Sequence, residues 1–133
     1  MATQQQDNAD IMRAGYKAFN ERNFEAVMEI FGEAIEWIEP DGSRYHGTYH
    51  GPEEVSGLFE HLLSDIDDFT VEPDRILDAG ETVVALGHAQ GTVVETGETL
   101  DVPFAHVWDM EDSRATRFQH YTDTAQFERA FEA

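Results

Sequence analysis

The chain has 133 residues and no cysteine, so neither a disulfide nor a thiolate metal site can form. Twenty-eight acidic residues face eight basic ones, and a net charge of −20 argues against nucleic acid or an anionic membrane as partner. No apolar run approaches the length of a membrane span and the N-terminus is polar, which leads to the expectation of a cytoplasmic protein.

Only one of the eight basic residues, Lys17, is a lysine, and the acids are spread along the whole chain instead of gathering in a tail. Such a surface suits a salt-rich cytoplasm, because at ~1 M salt the Debye length is about 3 Å and surface carboxylates scarcely repel one another. The length fits one domain spanning residues 1–133, with disorder expected over residues 1–7.

From Asn8, the spacing of Ile11, Met12, Gly15, Tyr16 and Phe19 predicts an amphipathic helix ending near residues 20–23. Asn23 is a candidate N-cap for a second helix carrying Phe24, Val27, Met28 and Phe31, stopped by Gly32. Residues 34–39 alternate as a short strand, which places Ile35, Trp37 and Glu39 on one face. The turn Pro40-Asp41-Gly42 follows, then a loop over residues 45–52 rich in glycine and aromatics. Pro52 suits a first helical turn, and Val55, Leu58, Phe59, Leu62, Leu63 and Ile66 form one apolar face beyond it.

Strand patterns then take over, at residues 69–77, 82–94, 100–110 and 114–122. Pro73 marks the first of these as an edge strand or a bulge, and Gly87 and Gly91 mark bends in the second. Asp123-Thr124-Ala125-Gln126 resembles a capping box for a short terminal helix that turns Phe127 and Phe131 inward. This order gives an α+β fold, a meandering antiparallel sheet curved around three helices and enclosing a cavity. Phe104, His106 and Trp108 alternate on one strand and Phe118, His120 and Thr122 on the next, so both histidines face that cavity. His46 and His50 lack any ligand spacing, and Ser43, Ser56, Ser64 and Ser113 lack a nucleophile elbow, so neither a metal nor a serine nucleophile is expected.

Several segments carry a family likeness: residues 16–26, 35–40 and 46–55, Phe104-Ala105-His106-Val107-Trp108, and 118–123. Together they resemble the nuclear transport factor 2-like superfamily, in its SnoaL-like polyketide cyclase and ketosteroid isomerase-like branch. The resemblance implies a cone-shaped, cystatin-like sheet wrapped around three helices. It also implies a pocket for a small, largely apolar ligand, either carbonyl-bearing or polyketide- or steroid-like; the sequence holds no cofactor motif, so no cofactor is expected. By position, Tyr16 matches the isomerases' oxyanion tyrosine, Glu39 their proton-shuttling carboxylate and His106 their second oxyanion donor. His120 matches a catalytic aspartate of the limonene epoxide hydrolase branch. That branch also needs an Arg and an Asp two residues apart, where this chain reads Ala85-Leu86-Gly87-His88-Ala89.

The resulting expectation is a pocket with Tyr16, Glu39, His106 and His120 as its polar groups. Phe19, Trp37, Phe59, Leu63, Phe104, Trp108 and Phe118 would line it. In an isomerase or cyclase Glu39 would abstract a proton next to a carbonyl, and Tyr16 and His106 would stabilise the enolate; in a carrier or sensor the same groups would only orient a ligand. A homodimer is expected through the outer face of the sheet, with Val83, Ala85, Val107 and Tyr121 at the contact.

Overall fold

A computed structural model of the protein describes residues 7–132. The first helix, α1 (Asn8–Asn20), starts where the Asp7 side chain accepts a hydrogen bond from the Asp10 amide. Asp7 is thus a helix cap instead of part of a disordered tail; the rest of the segment expected to be disordered lies outside the described residues. Met12, Gly15, Tyr16 and Phe19 are buried on one face of α1, as their spacing requires. At its end the Asn20 side-chain amide bonds both the N–H and the C=O of Val71, at 2.9 and 3.0 Å, and so pins the helix across the sheet.

Helix α2 (Phe24–Ile30) is capped by Asn23 but is shorter than its apolar spacing implies. Phe31 already belongs to strand β1 (Phe31–Glu39), not to the helix. The loop expected over residues 45–52 contains a further strand, β2 (Gly47–His50), paired antiparallel with β1. Helix α3 (Gly51–Asp65) carries Pro52 in its first turn and buries Val55, Leu58 and Phe59; Ile66, expected on its apolar face, opens the next strand.

Strands β3 (Ile66–Ala79), β4 (Thr82–Val93), β5 (Thr99–Glu111) and β6 (Arg114–Thr122) follow as an antiparallel meander. The sheet has six strands in the order β2-β1-β6-β5-β4-β3. The expectation of a wholly antiparallel sheet is corrected at one seam, where β1 runs parallel to β6. With Pro73, β3 is an edge strand whose register shifts between Pro73 and Arg75, as a residue without an amide hydrogen requires. Opposite it lies Gly87, where a Cβ would meet the Glu72 carbonyl oxygen at 2.0 Å; only glycine permits this approach of β4 to β3. The curved, unclosed sheet wraps the helices into an α+β cone. A short helix, α4 (Thr124–Arg129), is capped by Asp123 and turns Phe127 and Phe131 into the core.

Cross-strand pairing also fixes which side chains look into the cone. Val83 lies opposite Trp108 and Ala85 opposite His106, and both Val83 and Ala85 are wholly buried. They belong to the inner face, so they cannot form the outer surface expected of them. Val84, Leu86, Val107 and Tyr121 occupy that outer surface.

Candidate functional site

Inside the cone, two hydrogen-bonded chains of side chains converge on one cavity. In the first, the Trp108 indole N–H donates to the Tyr16 hydroxyl oxygen at 2.9 Å, and Tyr16 contacts His106 Nδ1 at 2.6 Å. In the second, the Trp37 indole N–H donates to Glu39 Oε2 at 2.8 Å, and His120 Nδ1 contacts Glu39 Oε1 at 2.8 Å. Tyr16 comes from α1, Glu39 from the end of β1, and the histidines from β5 and β6. His106 and His120 are direct cross-strand partners, with ring centres 4.8 Å apart and planes at 78°.

Donor chemistry decides where the protons lie. An indole nitrogen only donates, so the Tyr16 oxygen accepts from Trp108. Among the described residues the phenol's own proton then has one protein acceptor in reach, His106 Nδ1. That makes His106 the tautomer with its proton on Nε2. As a carboxylate Glu39 only accepts, so His120 carries its proton on Nδ1 and leaves a lone pair on Nε2. Neither Nε2 has a protein partner among the described residues, and no enclosed polar side-chain atom there lacks one. Both Nε2 atoms therefore border the cavity, one as donor and the other as acceptor.

Burial supports this assignment. It pushes the Tyr16 hydroxyl far above the ordinary tyrosine value, a rise that the bond from Trp108 only moderates. It holds His106 well below the ordinary histidine value, and the proximity of His120, which would repel a second positive charge, adds to the effect. Tyr16 thus stays a phenol and His106 a neutral ring at physiological pH.

The cavity has two adjoining lobes, of about 90 and 50 Å³. Glu39, His106 and His120 line both, together with Leu62, Phe69 and Val71. Tyr16, Phe19, Trp37, Phe59, Trp108 and Phe118 line the larger lobe. Two expected lining residues do not. Leu63 packs against the core one residue beyond Leu62, a rotation of about 100° around the helix. Phe104 lies flat against His106 with ring centres 3.9 Å apart, supporting the imidazole without reaching the cavity. Phe69 and Val71, from an edge strand, and Ile30, from the short second helix, escaped the sequence reading. The alternation of residues 69 and 71 carried the signal.

Size restricts the ligand. A cavity of about 150 Å³ holds benzene, and the two lobes together approach that size, so in this conformation the space is on the scale of a single ring and smaller than a steroid. The Glu39 carboxylate does not face the cavity unaccompanied either. Both of its oxygens are engaged, one by the Trp37 indole and the other by His120 Nδ1. His46 and His50 lie away from this cavity, and among the described residues no three acidic or histidine side chains are placed to hold a metal ion.

The family described as SnoaL-like domain matches residues 12–118. The structure resembles a nuclear transport factor 2-like protein from Burkholderia thailandensis E264, with 31% identity over 97% of this chain and 100% of that one and a TM-score of 0.92. A second such protein, of unknown function, from Burkholderia pseudomallei K96243 is 32% identical over the same shares, with a TM-score of 0.89. A protein named TerC, co-crystallised with polyporic acid, is 26% identical over 95% of this chain and 98% of its own, with a TM-score of 0.86. No curated protein sequence matches the chain.

Proposed function

The chain belongs to the SnoaL-like domain family, and from that membership we propose a cofactor-free acid–base site acting on a small carbonyl compound. One observation carries the proposal: two buried hydrogen-bonded chains end in neighbouring histidines whose cavity-facing nitrogens have opposite character. His120 Nε2 takes a proton from the carbon beside the carbonyl, and the C–H electron pair moves through to the carbonyl oxygen. The imidazolium so formed sits against the Glu39 carboxylate, which stabilises its charge. His106 Nε2–H donates a hydrogen bond to the enolate oxygen, backed by the Tyr16 phenol. His120 then delivers the proton to a conjugated carbon, which makes the net reaction an isomerisation; where the enolate carbon first attacks a second carbonyl of the same molecule, the proton goes to the alkoxide so formed and the net reaction is a cyclisation. Glu39 acts through His120, as a positioning residue and counter-charge. A co-crystallised organic acid in a relative, TerC, supports a small-molecule ligand here.

The test is exchange of the α-protons of cyclohexanone for solvent deuterium, followed by NMR. Wild type is expected to accelerate exchange, and His120→Asn to lose the acceleration. No acceleration by wild type refutes the proposal and leaves a carrier or sensor.

The outer face of the sheet, with Val84, Leu86, Val107 and the half-exposed Tyr121, supports a homodimer as the working assembly. The dispersed excess of acid supports a salt-rich cytoplasm as its setting.

A further inference from the structure

The opposite tautomers of His106 and His120 constrain more than the direction of a proton. A pocket with two donors would select a carboxylate or a dione, and a pocket with two acceptors would select a diol. This pocket offers one donor and one acceptor side by side, the first set by the Tyr16 phenol, to which Trp108 donates, and the second by the Glu39 carboxylate, to which Trp37 donates. Were Tyr16 to turn its proton toward the ligand, His106 would have to move its own proton to Nδ1 and donate to the phenol oxygen, so the ring tautomers report which arrangement the pocket holds. The rings are 4.8 Å apart, so two oxygens on adjacent carbons of one ligand can meet both nitrogens together. Around them the wall is aromatic and aliphatic, and the larger lobe takes about 90 Å³.

We propose that the ligand is a single-ring compound with a carbonyl and an enol hydroxyl on adjacent carbons. Its carbonyl oxygen accepts from His106 Nε2–H, and its hydroxyl donates to His120 Nε2. This deepens the acid–base reading above and rests on the same site. It names a substrate class in which the proton moved first is an oxygen-bound one: the hydroxyl proton passes to His120 Nε2, the oxygen's electron pair forms the new carbonyl, and the displaced C=C pair takes a proton back from His120 at carbon. The product is the diketone tautomer, with atoms and charge conserved.

The experiment has two arms on the intact protein. In the first, nitrogen-15 NMR of the histidine rings, assigned with single His→Gln variants, reads the tautomers. His106 is expected with its proton on Nε2 and His120 with its proton on Nδ1; the same tautomer in both rings, or the reverse assignment, overturns the proposal. In the second arm, calorimetry compares 2-hydroxycyclohex-2-enone with cyclohex-2-enone and with the 2-methoxy compound. The hydroxy-enone is expected to bind about ten-fold more tightly than either, the equivalent of one added hydrogen bond. Equal affinities, or no binding of any probe, overturn the proposal. Preference for the hydroxy-enone without deuterium exchange on cyclohexanone would sink the carbon-acid mechanism alone and leave the ligand class standing.

Discussion

Replacing Glu39 by glutamine presents the second hydrogen-bonded chain with an arithmetic problem. Two donors, the Trp37 indole N–H and His120 Nδ1–H, point at a carboxylate that accepts through both oxygens. Glutamine offers one oxygen and one NH₂. If its oxygen faces Trp37, its NH₂ faces His120 Nδ1, and the ring must move its own proton to Nε2. The cavity then loses the His120 Nε2 acceptor, and exchange of α-protons should fall by about 10²–10⁴-fold, the range for a lost general base. If the oxygen faces His120 instead, an indole N–H meets an amide N–H in a site where Glu39 is only 9% exposed. A buried donor left unpaired costs about 1–3 kcal/mol. The first arrangement avoids that clash, so the rate effect should dominate. Stability should drop by only about 1–2 kcal/mol, as a bond to a charged acceptor becomes a neutral one. Deuterium exchange by NMR, urea unfolding and the nitrogen-15 signals of His120 follow the three quantities. Unchanged rate, unchanged stability and an unchanged His120 tautomer in Glu39→Gln would refute the reasoning.

Acidification provides an independent check on His106. Its native value lies below the ordinary one of about 6.5, so the unfolded chain takes up a proton there first; stability at this site is complete above that pH and is lost as pH falls below it. Repulsion among carboxylates changes in the same range, so the readout is a difference. From about pH 7.5 to 5.5 wild type should lose about 1 kcal/mol relative to His106→Asn in urea unfolding, and parallel curves would refute it. Gly87→Ala should destabilise by about 1–3 kcal/mol or more, because its Cβ meets the Glu72 carbonyl oxygen, whereas Gly57→Ala on α3 meets nothing and should stabilise by about 0.5–1 kcal/mol. The melting temperature should climb steeply between roughly 0.1 and 2 M KCl as screening relieves the −20 charge; a flat curve removes the salt-rich setting. Light scattering should give twice the 15.1 kDa chain mass, and Tyr121→Glu should halve it if the outer face is the contact.

Periodicity made much of the site legible. Tyr16 sits on the apolar stripe of α1, Glu39 two residues from Trp37, and His106 and His120 on strands whose aromatic neighbours fix their face. Long-range pairing was not legible. Nothing local in residues 34–39 says that they run parallel to a strand some eighty residues later, and the half-exposed pattern of β2 reads equally well as loop. Phe31 satisfies both a helical and a strand period, and only its pairing with Ala115 settles which wins. Val83 and Ala85 went to the wrong face because a strand of small apolar residues carries no parity signal of its own; Trp108 and His106 across the ladder supply it. The two indole donors were visible as aromatics, but that their N–H groups set the proton positions needed the distances.

The parallel seam between β1 and β6 has a consequence for how the protein is made. Helices α1 to α3 and strands β1 and β2 leave the ribosome first, yet β1 gains its inner neighbour only when β6, Arg114–Thr122, has emerged. Tyr16 meets His106 across 90 residues and Glu39 meets His120 across 81, so both polar chains close late. Such non-local closure slows folding. During synthesis the N-terminal half must wait with Ile35, Trp37 and Phe59 uncovered, all of them buried in the finished fold. The glutamates that flank them (Glu33, Glu36, Glu53, Glu54 and Glu60) then act as gatekeepers for the nascent chain, keeping those unsatisfied apolar surfaces apart until the last strand arrives.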